Sequence, residues 1–273
     1  MYSGSTMTPI SGRILGAHQK LDRVARRNIE LLHPGCPFPK IRSILHFEGD
    51  NGPDAIKRKS PAKDEPWHFI QPFDLDDTQL ITAIAEHYQA LTQALRKCDN
   101  VRAAFEAAWI AHAVVDGLTP AHQYPYTEEL IALRGEENLE GRNSVREKLM
   151  LPGETLRHQA SNNWKFWGPK GLFSTHFAFE WGVSTLIAPL RLTRSRPSAA
   201  QIAAFQKLGI EAWFRSVAQE VAKMSLYDDF YRTGWTTSLG RRVRRQLAPA
   251  LAQAITLTWY GALLDAKDVK VSQ

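Results

Sequence analysis

The chain has 273 residues, 44% of them hydrophobic and 23% charged, which excludes a disordered chain and a small scaffold dependent on disulfide staples. Its two cysteines, Cys36 and Cys98, are too few for a disulfide framework or a four-thiolate zinc site. A net charge of +6 attracts phosphates, anionic lipid or nucleic acid without choosing among them.

No stretch approaches the roughly 20 apolar residues of a membrane span; the most apolar segment, 105–115, is interrupted by Glu106 and His112. The opening residues MYSGSTMTPISGRILGAH lack the apolar core of an export signal, so a cytoplasmic location is expected.

Helical periodicity dominates. Leu15, His18, Ala25, Ile29 and Leu32 recur at helical spacing and predict a helix over 11–32, with His18 on or beside its buried stripe. The Pro-rich HPGCPFPK at 33–40 ends it. Residues 41–72, punctuated by Gly49, Gly52, Pro53, Pro61, Pro66 and Pro72, are expected to be irregular. From Asp74 to Lys97, an acidic DLDD start followed by Leu80, Ile84, Tyr88, Leu91 and Leu95 predicts the next helix.

The most hydrophobic helix spans 101–115, with Phe105, Ala108, Trp109 and His112 on a buried face, and Gly117 and Pro120 end it. Residues 124–170 are mixed, with aromatics in NNWKFWGPKG. Helices follow at about 172–193, 198–224 and 239–265, the second capped by Ser198. No run of alternating β-branched residues, internal repeat or long Gly/Ser linker occurs. The expected fold is therefore all-α, a single domain of many helices.

The chemistry concentrates in the nine histidines. In His112-Ala-Val-Val-Asp116, residues four apart lie about 40° from each other around a helix, so both side chains reach one ion. His122 follows just past the helix end. His176-Phe-Ala-Phe-Glu180 repeats the spacing on another helix. Imidazole and carboxylate together suit Zn²⁺. A lone histidine on an apolar helix face is more often a hydrogen-bonded core residue. Two such pairs on apolar helices shift that balance, because burying Asp116 or Glu180 unpaired costs several kcal/mol. A cation offsets that cost, and so would salt bridges to arginine.

HAVVDGLTPAH resembles the H-x3-D-x3-P-x-H signature of the zinc-dependent phospholipase C and P1/S1 nuclease superfamily, an all-α fold holding a cluster of three zinc ions. The resemblance extends residue by residue. His18 is similar to the family's early helical histidine. Asp54 and His68, fourteen residues apart, match its Asp–His pair, and HFIQP is similar to the HF-x-x-P of the bacterial phospholipases. His176 and Glu180 match its late H-x3-E, and QAITLTWYGALL resembles its aromatic last helix.

The resemblance implies a helix bundle of phospholipase C/P1 nuclease type over the whole chain, with an insertion at about 124–171. It implies one zinc held by Asp54, His68, His112 and Asp116, a second by His122, His176 and Glu180, and a third by His18 with a bridging Asp116. Asp54 would also orient or deprotonate the attacking water. The implied reaction is hydrolysis of a phosphodiester by water that zinc makes acidic, on phospholipid or a related substrate, with peripheral membrane contact. Nucleic acid is the alternative substrate, and a non-catalytic, metal-stabilised protein that binds lipid or a protein partner is the alternative of another class.

The chain departs from the family at three places. Secreted members use a processed N-terminal Trp as a ligand of the third zinc, whereas the first Trp here is Trp67, so two or three ions are expected. Ala55 and Glu65 replace the aromatics of a choline cage. The 53 residues between His122 and His176, including Trp164, Phe166, Trp167 and Lys170, form a longer insertion, read as a lid, a substrate-contacting loop or packing on the core. His158, with Asn162 four residues on, is left out of the ligand set, and His33, His46 and His87, which have no carboxylate partner in a recognisable pattern, are expected to be structural. Arg241, Arg242, Arg244 and Arg245 are read as a solvated helix turn or as contacts to phosphate groups.

Overall fold

The computed structural model describes residues 16–48, 51–54, 68–135, 144, 147 and 149–268. Residues 11–15 of the first expected helix lie outside the described residues, as do Ala55, Glu65 and Trp67. Every regular element among the described residues is helical, as expected, and none is a strand.

The chain runs through α1 (Ala17–Leu32), α2 (Ile41–Glu48), α3 (Gln79–Arg96) and α4 (Asn100–Gly117), then a 3₁₀ turn (Pro120–Gln123) and α5 (Tyr126–Arg134). It continues through α6 (Leu156–Trp167), α7 (Leu172–Ile187), α8 (Ala199–Leu208), α9 (Ile210–Ala222), α10 (Leu226–Thr233) and α11 (Thr237–Arg242). A π-helical turn (Val243–Leu247) leads into α12 (Ala248–Asp268).

The core forms where α12 packs against α1, α3 and α4. Trp259 on α12 is fully buried, and its indole N–H donates to the Ala107 carbonyl on α4 at 2.9 Å. Burial of an aromatic this size is tolerated because its one polar atom is satisfied. The Asn28 amide on α1 donates to Ser195 and to Thr256 of α12, both at 3.2 Å. The stretch 237–267 is long and apolar enough to cross a membrane by length and composition, contrary to expectation. However, 72% of its apolar window is buried inside the protein, as befits the central helix of a core.

Several boundaries depart from the sequence reading. Residues 41–48 were expected to be irregular but form α2, because the glycines and prolines of that segment begin only at Gly49, leaving IRSILHFE free to coil. The acidic DLDD does not enter α3: it is a turn in which Asp74 accepts from the Asp76 N–H, while Arg215 on α9 donates to the Asp74 and Asp77 carbonyls. The expected helix over 198–224 divides at Gly209, whose φ of +74° L side chains rarely adopt. Ser198 caps α8 as expected, in a capping box with Gln201.

The insertion is helical at both ends, α5 and α6. It carries its own small core of Leu130, Leu151 and Phe166, packed by Tyr126, Leu133, Leu172 and Phe173.

Gly117 ends α4 beneath the site. A methyl group there would lie 2.5 Å from a Leu80 methyl and 2.7 Å from the Phe214 ring. Gly117→Ala should therefore overpack this junction and cost about 1–3 kcal/mol, read as a lower urea midpoint at unchanged slope. An unchanged midpoint would show that α3 and α9 yield freely.

Candidate metal centre

The site is organised around the C-terminal turn of α4. Asp99 starts that helix by accepting from the Arg102 N–H at 3.0 Å, and its last turns carry His112 and Asp116. The chain then folds back. Thr119 donates from its hydroxyl to the Val115 carbonyl at 2.8 Å and accepts at its own carbonyl from the His122 N–H at 2.9 Å. The His122 carbonyl in turn accepts from the Ile70 N–H at 3.1 Å, which fixes the segment carrying His68 alongside.

Four imidazoles converge on the buried Asp116 carboxylate. His18 Nε2 lies 3.2 Å and His122 Nδ1 3.7 Å from its Oδ1; His112 Nε2 lies 3.2 Å from Oδ2, which His68 Nδ1 also contacts. Asp54 Oδ1 is 3.6 Å from His112 Nε2. On the other side, Glu180 Oε1 lies 2.7 Å from His122 Nε2 and 3.2 Å from His176 Nε2. The His122 and His176 rings stack at 5.1 Å and 7°, and those of His18 and His112 at 4.1 Å and 11°. The structure thus brings together all the expected residues, His18, Asp54, His68, His112, Asp116, His122, His176 and Glu180. Imidazoles are ion-pair partners of both Asp116 and Glu180.

Electrostatics follow from this crowding. Burial alone would raise the pKa of Asp116, but the surrounding positive charge, including that of His112, His122 and His68, holds it well below the ordinary carboxylate range. Glu180 is likewise held low against burial by surrounding positive charge, including that of His176, and by hydrogen bonds to His122 and His176. His112 is raised well above the usual imidazole value: burial opposes this, but Asp116, Glu48 and Asp54 outweigh it. His122 is pushed down to about 3, chiefly by burial.

Glu48 is a site residue that sequence reasoning missed. Fully buried at the end of α2, its Oε1 lies 3.0 Å from His112 Nδ1 and 3.7 Å from His18 Nδ1. Because the Nε2 atoms of both rings face Asp116, Glu48 sits behind them, and it is hydrogen-bonded to Nδ1 of His112. A carboxylate in this position fixes tautomer and ring orientation for a metal on Nε2. Asp22, one turn past His18 on α1, is raised well above the carboxylate range by burial and then by Glu48. The sequence did carry a signal: Ile41, Ile44, Leu45 and Glu48 recur at helical spacing.

Phe69 and Tyr126 were also missed. They stack at 5.3 Å and 8° and approach His122 and His176 at 5.2 and 5.1 Å, respectively, giving the Glu180 side an aromatic wall. His158 is exposed on α6 and stands outside the site. His87 was expected to lack a carboxylate partner but bonds the buried Glu106 at 2.5 Å.

These residues suit a cation. Four groups, His18–Glu48–His112, Asp54–His68–His112, His68–Asp116–His122 and His122–His176–Glu180, each hold their ligand atoms within 4.8 Å of one another. Buried nitrogens of His122 (Nδ1) and His176 (Nδ1) make no hydrogen bond among the described residues, and a bound ion is one explanation for buried polar atoms left unpaired. Buried His, Asp and Glu clusters able to hold a metal ion are therefore present.

No family model, curated protein or solved structure matches this chain.

Two outcomes are expected. Glu48→Gln should weaken metal affinity by about 10–100-fold, measured by competition with a chromophoric chelator, and unchanged affinity would remove Glu48 from the ligand-orienting role. Metal uptake at pH 7 should release protons, because the raised His112 must give one up, whereas His122 is already neutral. Calorimetry in buffers of different ionisation enthalpy reads this directly; a heat independent of buffer would contradict it.

Proposed function

We propose that this protein is a zinc-dependent phosphodiester hydrolase of the phospholipase C type. The observation that carries the reading is the Asp116 carboxylate shared by His18, His68, His112 and His122. Bridging carboxylates of this kind belong to sites where metal ions lie close together. The donor set is entirely nitrogen and oxygen, which suits zinc in a hydrolytic role. When bound, closely spaced zinc ions supply Lewis acidity toward phosphoryl oxygens and lower the pKa of water.

The chain's own groups divide the remaining work. Asp116 and Glu180 provide the anionic charge that draws in cations. Glu48 orients His112. Asp54 lies at the edge of the Asp116 group and is the carboxylate placed to accept a proton from an attacking water. Phe69 and Tyr126 form an apolar wall that excludes water from the Glu180 side. Phospholipid is favoured over nucleic acid by the resemblance: the second pair ends in Glu180, the Asp54–His68 spacing matches the phospholipases, and Leu118 stands where the nucleases commonly place an extra histidine.

Protein purified without chelators should contain two or three zinc ions by mass spectrometry of the metal, and should hydrolyse phosphatidyl substrates or bis(p-nitrophenyl) phosphate. Asp116→Asn should lose both metal and turnover with its helical circular dichroism retained. Asp54→Asn should lose about 10²–10⁴ in kcat. Wild-type protein that binds no zinc, or an Asp116→Asn variant that still turns over, would defeat the proposal. Hydrolysis of single-stranded DNA alone would move the assignment to the nuclease branch.

A further inference from the structure

α7 presents His176 and Glu180 to the metal centre, while a neighbouring face of the same helix walls a groove of about 1140 Å³. Pockets that bind small molecules run to roughly 1,000 Å³, so this groove exceeds the needs of a small inorganic anion. Its apolar lining comes from Phe177, Trp181, Leu186 and Leu190 on and after α7, faced by Trp235. The Trp235 indole lies directly on Gly182, where an added methyl would sit 2.2 Å from its ring, and it stacks on the buried Phe179 at 5.6 Å and 9°. The floor is thus fixed from below.

The opposite wall is cationic. Thr237, Gly240, Arg241, Arg244 and Arg245 recur at helical spacing through α11 and the π turn, and all line the groove. A π turn inside a helix frequently accompanies a functional site. Arg242, on another face of the same turn, is bound to Asp229 at 2.5 Å. No carboxylate among the described residues pairs with Arg241, Arg244 or Arg245. Three like charges gathered on neighbouring turns repel one another. An anion between them relieves that cost, and guanidinium groups match phosphate by paired hydrogen bonds.

We infer that this groove binds an anionic amphiphile: a phosphate-bearing head group on Arg241, Arg244 and Arg245, and its hydrocarbon chain over Trp181, Leu186 and Trp235. Charge complementarity selects the head, and the apolar wall with its volume selects the chain. The site is separate from the metal centre and does not depend on hydrolysis there.

The test is calorimetric, on the full chain with its metal, using decyl phosphate, inorganic phosphate and decyl maltoside. Decyl phosphate should bind one per groove, at least about tenfold tighter than either fragment. A triple replacement Arg241→Ser, Arg244→Ser, Arg245→Ser, at exposed positions, should weaken it at least about tenfold. Gly240→Trp should do the same by filling the groove. The helix tolerates that change, because an added Cβ there meets only Leu186 methyls at 3.7 Å. Circular dichroism confirms that each variant is folded. Decyl phosphate binding no better than inorganic phosphate would overturn the proposal. So would Gly240→Trp binding like wild type, which would place the ligand on the arginines' outer surface or at the metal centre.

Discussion

The interaction on which the rest of this structure depends is a buried carboxylate, Asp116, surrounded by His18, His68, His112 and His122. An isolated carboxylate at that depth would lose several kcal/mol of hydration and would take up a proton instead. Here surrounding positive charge, that of His112 included, keeps it ionised. The arrangement holds only because four separate chain segments are brought to one point: α1, the stretch before α3, α4 itself and the 3₁₀ turn beyond it. Each is tied down by packing or by main-chain hydrogen bonds, the link between Ile70 and the His122 carbonyl being the most direct.

The core explains why such precision is available. α4 is buried over most of its length and is enclosed by α2, α3 and α12, so its last turn cannot shift without disturbing packing against them. Gly117 allows Leu80 and Phe214 to close against the helix end. Glu48 then completes the arrangement from behind, bonded to the outer nitrogen of His112 while the inner nitrogens of His18 and His112 face Asp116. A cluster able to hold a metal ion is built here by the scaffold first and by its donor atoms second.

Much of the candidate site was legible in the sequence because helical spacing is a strong geometric statement. His112 with Asp116, and His176 with Glu180, needed only the four-residue repeat to be placed on common faces. His18, Asp54 and His68 were less determined by pattern and joined the set through a family resemblance. Glu48 escaped because α2 occupies eight residues inside a segment dense with glycine and proline, and its partners are 30 and 64 positions away. Phe69 and Tyr126 escaped for a similar reason, since stacking between them is a tertiary event. The acidic DLDD was misread as a helix start because acidic residues favour both a first turn and a preceding turn; Arg215, far along the chain, decided the matter.

By itself the sequence determined an all-helical chain, the helices that carry the paired ligands, and a donor set of imidazoles and carboxylates rather than thiolates. These follow from local periodicity and residue chemistry, which act over one or two turns. Tertiary structure alone decided that four imidazoles share one carboxylate, that a second buried carboxylate backs one of them, and that three arginines face an aromatic groove. Those outcomes depend on distances between segments far apart in the chain. Only packing of the core sets such distances.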